Sequence, residues 1–350
     1  MSVYPDPVAR PGNEALQPLF RAADVPRETE RPAAPDGAVG VDQALPPITT
    51  PQTGTAGDSA VWTPIAEEAA RATRVLHPDN LKLPRPTRRR ILTVANQKGG
   101  VGKTTSTVNL AAGLAIAGLK VLVIDLDPQG NASTALAIEH RSGTPSVYEV
   151  LIGEISVSEA AQVSNQSPNL YCVPATIDLA GAEIELVSMV ARESRLKEAL
   201  SPEALEGIDP DYIFIDCPPS LGLLTVNAMV AAQEVLIPIQ CEYYALEGLG
   251  QLLRNIELVQ AHLNPTLNVS TILLTMYDGR TKLADQVTSE VRGHFGDTVL
   301  RTVIPRSVKV SEAPGFAQTV LTYDPGSRGA MSYLDAAREI AEFGARMGLA

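Results

Sequence analysis

Residues 97–104 read Gln97-Lys98-Gly99-Gly100-Val101-Gly102-Lys103-Thr104. The apolar run Ile91-Leu92-Thr93-Val94-Ala95 precedes them, and a helix-forming stretch begins near Thr105. Strand, glycine-rich loop and helix in that order build a phosphate-binding loop. Glycines let backbone N–H groups approach phosphate oxygens, and the helix N-terminus adds positive partial charge at the same point. Gly99, Gly100, Val101, Gly102 and Thr105 are the candidate cradle. Lys103 is expected to reach the β- and γ-phosphates, and the Thr104 hydroxyl to ligate Mg²⁺.

The loop departs from its common form. Gln97 stands where glycine is usual, and Lys98 adds a second cation five residues before Lys103. Downstream, the apolar runs Val121-Leu122-Val123-Ile124, Tyr212-Ile213-Phe214-Ile215, Val235–Ile239 and Val269–Leu274 read as strands covered on both faces. Leu300 to Ile304 reads as a further strand. Helices are expected over Thr105–Ala117, Leu179–Leu200, Leu221–Ala232, Leu246–Leu263, Lys282–Phe295 and Ser332–Met347. The alternation predicts an α/β fold, a doubly wound, mostly parallel sheet with helices on both faces.

In such a sheet, ligands bind at the carboxyl ends of the strands. Asp125-Leu126-Asp127-Pro128-Gln129-Gly130 follows the second strand and Asp216-Cys217-Pro218-Pro219-Ser220 closes a later one. Asp127 is placed to orient the attacking water, Asp125 to contact the magnesium shell, and Asp216 to hold Mg²⁺ through water. The turn after Asp216 can act as a switch loop. No Asn-Lys-x-Asp guanine signature occurs in the chain, which favours adenine.

Lys and Arg number 28 against 40 Asp and Glu, a net charge of −12, so contact with nucleic acid requires a local basic patch. No apolar run approaches the roughly 20 residues of a membrane span. The N-terminus lacks a basic region followed by an apolar core, so a cytoplasmic chain is expected. Cys172, Cys217 and Cys241 are widely spaced and read as small buried hydrophobes.

Residues 1–62 are Pro/Ala-rich without sustained period and read as a disordered extension. Residues 63–87 read as a short helix plus a Pro-rich linker. Thr63 is its N-cap, Pro64 stands at N1, and the helix either docks a partner or packs on the domain. The basic triplet Arg88-Arg89-Arg90 reads as a solvated entry to the first strand. Residues 88–350 read as one ATPase domain.

The loop from Lys98 to Thr105 resembles the deviant phosphate loop of the ParA/MinD class of ATPases. Five blocks, NQKGGVGKTT, DLDPQGNAST, YIFIDCPPS, TMYDGRTKLADQV and VIPRSVKVSEAPG, together resemble ParA/Soj-type partition ATPases over nearly all of 91–330. The N-terminal extension looks like that of actinobacterial chromosomal ParA proteins. The resemblance implies ATP and Mg²⁺ as cofactors and an ATP-bound homodimer in which Lys98 crosses to the partner's nucleotide. It implies Asp127 as the hydrolytic aspartate, and Pro305 and Arg306 beside the adenine. It also implies non-specific double-stranded DNA binding by Arg280 and Lys309, with Lys282, Arg306, Arg292, Arg301 and Arg328 as further candidates. Lys309 stands where the family has arginine, keeping the charge but losing the bidentate fork. A ParB-type partner is implied, as is nucleoid association without membrane contact, and a polar scaffold is a candidate partner of the extension. A MinD-like membrane-associated ATPase is the alternative. It would need a basic amphipathic C-terminal helix, whereas Tyr333–Phe343 is of mixed charge.

Overall fold

Seven strands form one sheet in the order β3-β4-β2-β5-β1-β6-β7. They are β1 (Arg90–Val94), β2 (Val121–Asp125), β3 (Gln162–Val163), β4 (Leu170–Val173), β5 (Tyr212–Asp216), β6 (Glu234–Gln240) and β7 (Asn268–Thr275). All pairs are parallel except β3 with β4. The computed structural model describes residues 82–242 and 245–346. The expected extension 1–62 and the expected helix near 63–77 lie outside the described residues.

The strand sequences explain the layering. Along β1, Leu92 and Val94 join one core while Ile91 joins the other; Val121 and Val123 alternate in the same way with Leu122 and Ile124 in β2, and Tyr212 and Phe214 with Ile213 and Ile215 in β5. Both faces of these strands are covered, so their apolar runs are continuous rather than alternating. The principal helices are α1 (Lys103–Ile116), α2 (Asn131–Ala135), α3 (Leu179–Val187), α4 (Leu223–Ala231), α5 (Ala245–His262), α6 (Lys282–Phe295) and α7 (Arg328–Arg346). Residues of α1 and α7 fill one core; residues of α3, α4, α5 and α6 fill the other.

Three expectations are corrected. The helix expected over Leu179–Leu200 is two pieces, α3 and Arg195–Ala199. Between them Ala191 takes φ 53°, the Asn227 side chain donates to the Arg192 carbonyl, and the Leu196 N–H donates to Asn227 Oδ1. The Arg195 guanidinium donates to the Leu151 and Ile152 carbonyls. Tertiary hydrogen bonds thus override a helical pattern.

Leu300–Ile304 is no strand. It makes two hydrogen bonds to β7, from Leu300 N–H to the Ile272 carbonyl and from Ile304 N–H to the Leu274 carbonyl. The intervening Arg301 and Thr302 N–H groups donate instead to the Glu339 carboxylate of α7, each at 2.8 Å, which interrupts the ladder.

Arg90 is buried rather than solvated, 3% exposed, in an ion pair with Glu234 at 2.5 Å. Its guanidinium also donates to the Ile340 carbonyl at 2.7 Å and lies over the Tyr212 and Phe343 rings. That one side chain joins β1, β6 and α7. Removing either charge would leave the other buried without a partner. The strand Leu170–Val173 and the short helices near 131–160 carry too little period to be read from sequence.

Candidate nucleotide site

Parallel register sets the site. Val94 of β1 pairs with Asp216 of β5, and Asp216 pairs with Asp125 of β2. The phosphate loop after β1 and both strand-ending aspartates therefore emerge side by side at the carboxyl edge. Gly100 and Gly102 hold φ 73° and 88°, left-handed values that glycine adopts without strain. A Cβ on Gly99 or Gly100 would meet nothing within 4 Å, so the inner wall of the loop is open. The Thr275 hydroxyl at the end of β7 donates to the Val101 carbonyl at 2.8 Å, and Asn96 Oδ1 accepts from the Lys98 N–H at 3.0 Å. α1 begins at Lys103, so the N–H groups of its first turn, Thr104 and Thr105 included, lack intrahelical partners.

Lys103 is 7% exposed and donates to the Lys98 carbonyl at 3.3 Å. Burial lowers its pKa, and Asp216, Cys217 and Asp127 oppose that. Lys98 lies instead at the rim, 3.5 Å from Glu242 Oε2, and Arg306 lies 3.4 Å from Glu242 Oε1. Glu242 thus bridges the loop lysine and the segment after residue 304. Sequence reading missed it, since nothing in Gln240-Cys241-Glu242 marks a functional acid.

The three aspartates differ. Asp125 is fully buried, and its oxygens accept from the Ser133 N–H at 2.8 Å, the Ser133 hydroxyl at 2.7 Å and the Asp127 N–H at 3.1 Å. Its carboxylate anchors the start of α2. Asp127 is half-buried and accepts from the Gln129 N–H at 3.1 Å. Asp216 is fully buried; its Oδ1 accepts from the Thr107 hydroxyl at 3.0 Å, while Oδ2 is buried with no partner. That orphaned oxygen beside Lys103 and Thr104 is what a divalent cation would satisfy. Among the described residues no group of three His, Cys, Asp or Glu could hold a metal. Mg²⁺ suits such a setting, because it binds through one or two protein oxygens plus water and phosphate.

Burial raises both acids, Asp125 to about 6 and Asp216 to about 8; the Asp125 charge raises Asp216 further and the Asp127 charge raises both, while Ser133, Thr104 and Thr107 oppose the shifts. Because these folded pKa values lie above the unfolded ones, the folded chain binds protons more tightly. Metal-free stability is therefore expected to fall as pH rises from about 4 to 8. Thermal melting should show Tm dropping by at least ~3 °C, the equivalent of roughly 1 kcal/mol, and Mg²⁺ with nucleotide should restore it at pH 8. A Tm that rises steadily with pH in chelator would contradict this.

Pro305 is half-buried and Arg306 exposed, on a segment tied to the end of β7. The Tyr277 N–H donates to the Ile304 carbonyl at 2.9 Å and the Arg306 N–H to the Tyr277 carbonyl at 3.0 Å. Those bonds bring the connection holding Arg280 and Lys282 beside the one holding Arg306 and Lys309. Arg280 makes a bidentate contact with Asp278, and Lys309 pairs with Glu312 at 3.2 Å and lies over the Tyr323 ring. Lys282 is exposed at the start of α6. Arg292 donates to the Arg301 carbonyl, and Arg301 lies 3.5 Å from Glu339. Such exposed pairs are screened by solvent and yield readily to phosphate. The three cysteines are buried and free.

A family model described as an AAA domain matches residues 89–269, more than half of the chain. The chain is 54% identical over 255 residues to the sporulation initiation inhibitor protein Soj of Bacillus subtilis, covering 73% of this chain and 99% of that protein. It is 52% identical over 252 residues to the chromosome partitioning protein ParA of Caulobacter vibrioides, covering 72% and 93%. Among solved structures, cobyrinic acid a,c-diamide synthase from Mycobacterium smegmatis with ADP and magnesium is 40% identical with TM-score 0.62, covering 75% and 96%. The septum site-determining protein MinD of Pyrococcus horikoshii with Mg-ADP is 27% identical with TM-score 0.58, covering 73% and 97%. With the deviant loop, the paired strand-end aspartates and relatives matched over almost their whole length, the chain belongs to the ParA/Soj family of partition ATPases.

Proposed function

We propose that this chain is an ATP-driven DNA segregation switch. Mg·ATP is held by residues 99–105, with Thr104 and the orphaned Asp216 oxygen facing the metal, and bound Mg²⁺ would neutralise charge on the β- and γ-phosphates. Asp127 orients the attacking water. The Asp216 Oδ2 atom carries this reading, being buried with no hydrogen-bond partner. Pro305 and Arg306 flank the base.

ATP assembles two chains, and Lys98 of each stabilises transition-state charge on the partner's nucleotide. The apolar surface on and around α3 supports assembly: Ile177, Ile184, Val187 and Val190 are all exposed, as is Leu221 in the loop after Asp216. A dimer doubles the basic set Arg280, Lys282, Arg306 and Lys309, and avidity then gives ATP-dependent, sequence-independent DNA binding. A ParB-type partner stimulates hydrolysis and releases the DNA. The cargo is the chromosome, and a polar scaffold contacts residues 1–62.

The membrane alternative is disfavoured by α7, whose Tyr333, Leu334, Ala337, Ile340 and Ala341 are buried against the sheet. No helix among the described residues is long and apolar enough to cross a membrane. A metabolic reading would rest on the 40% identity to the diamide synthase, which is below the 54% shared with Soj.

Binding to non-specific duplex DNA, measured with no nucleotide, ADP and ATP across salt concentrations, tests the reading. Binding should need ATP, weaken steeply with salt and persist in Asp127→Ala. Arg280→Ala with Lys309→Ala removes four contacts per dimer and should flatten the log K versus log salt slope by about 3–4. No DNA binding, and turnover indifferent to DNA, would favour the metabolic reading.

A further inference from the structure

His140 belongs to none of the motifs that mark the site, yet it packs against the turn that carries Asp127. That turn is closed by the Gly130 N–H donating to the Asp127 carbonyl at 2.8 Å. Gly130 sits at φ 64°, and a Cβ there would lie 2.8 Å from His140 Cδ2 and 3.2 Å from the Ala175 carbonyl oxygen. The imidazole therefore fills the space that any side chain at position 130 would need.

Its two nitrogens have definite tasks. Nδ1 lies 2.8 Å from the Ile138 carbonyl, which can only accept, so Nδ1 carries a proton. Nε2 lies 3.2 Å from Thr134 Oγ1, and the same hydroxyl lies 3.0 Å from the Gly130 carbonyl. Thr134 has a single proton to give. The Gly130 carbonyl also accepts from the Thr134 N–H at 2.9 Å, so the Thr134 hydroxyl is free to donate to Nε2 and ties the ring to the first turn of α2.

We propose that His140 is a positioning residue for hydrolysis: held by the Ile138 carbonyl and the Thr134 hydroxyl, its ring fills the space beside Gly130 and fixes the turn that aims Asp127. The inference rests on the reading of Asp127 as the water-orienting group. The charged groups on the elements around His140 are few. Glu139 and Arg141 flank it on its own loop and pair with each other at 3.4 Å. Asp127 lies on the turn, and Asp178 accepts from the Ser142 hydroxyl at 3.0 Å.

The test is ATP turnover by the full chain at saturating Mg·ATP, with ATP affinity and Tm measured alongside. His140→Ala should lower kcat about three- to tenfold, less than the ~10²-fold of a 1 Å misplacement. Its ATP affinity should stay within about twofold. His140→Gln keeps an N–H donor for the Ile138 carbonyl and should recover most of the rate. A His140→Ala protein with unchanged kcat overturns the inference. So does a loss mirrored in Tm and ATP affinity, which is the mark of a merely structural role. Undiminished turnover in Asp127→Ala overturns the Asp127 reading and this inference with it. An inactive Asp127→Ala beside an unaffected His140→Ala overturns this inference alone.

Discussion

Replacing Lys98 with alanine is expected to lower ATP turnover by about 10³-fold or more, the scale attached to a cationic finger at a transferring phosphoryl group. Two lysines serve one loop, and they are placed differently. Lys103 is buried under the loop, whereas Lys98 lies at the rim against Glu242. A rim position suits donation to another chain. Mixing separates the possibilities. Lys98→Ala and Asp127→Ala proteins should each be inactive alone. If Lys98 acts across a two-fold dimer, random pairing gives mixed dimers with one complete site, and the mixture should recover roughly a quarter of wild-type turnover. If Lys98 acts on its own nucleotide, neither site of the mixed dimer is complete and the mixture stays inactive. Co-purification of an untagged variant with a tagged one in the presence of ATP shows that the mixed species form.

Asp216→Asn is expected to have opposite effects on catalysis and on folding. Turnover should fall by about 10²-fold or more, as when a preorganised electrostatic group is lost at a charged transition state. Mg²⁺ should no longer strengthen ATP binding. Metal-free stability at pH 8 should rise, because the substitution removes a buried negative charge whose Oδ2 has no partner and whose neighbour is buried Asp125. Asn keeps an acceptor for the Thr107 hydroxyl. Its Tm should also lose much of its fall between pH 4 and 8, identifying Asp216 as the source of that fall. A variant less stable than wild type in chelator at pH 8 would count against this account.

The architecture was legible in the sequence where two independent signals coincided. Val121–Ile124 and Tyr212–Ile215 are continuous apolar runs, and each ends on an aspartate at the edge where ligands bind. Residues 97–104 combine glycine spacing with a preceding strand and a following helix. The misreadings arose where tertiary contacts chose between local possibilities. Asn227 breaks a helical pattern 35 residues away in sequence, and Glu339 captures the N–H groups that would have extended a strand at 301–302. Arg90 looked solvated because it follows two other arginines, yet its partner Glu234 is 144 positions distant. The Ser133 contact to Asp125 was not legible either, because it requires α2 to fold back. Glu242 and His140 carry no spacing signal at all.

The hydroxyl of Thr275 grips the nucleotide loop through the Val101 carbonyl, and two residues later Tyr277 holds both Ile304 and Arg306 by their backbones. Arg280 follows only five positions after Thr275. The chain thus has a mechanical lever of very short throw. A displacement of the loop by phosphate reaches Arg280 and the Arg306–Lys309 connection along one strand end, without any rearrangement of the sheet. Were the basic residues geared in this way to the occupancy of the loop, substitutions along Thr275–Tyr277 would alter timing between the two sites rather than the affinity of either.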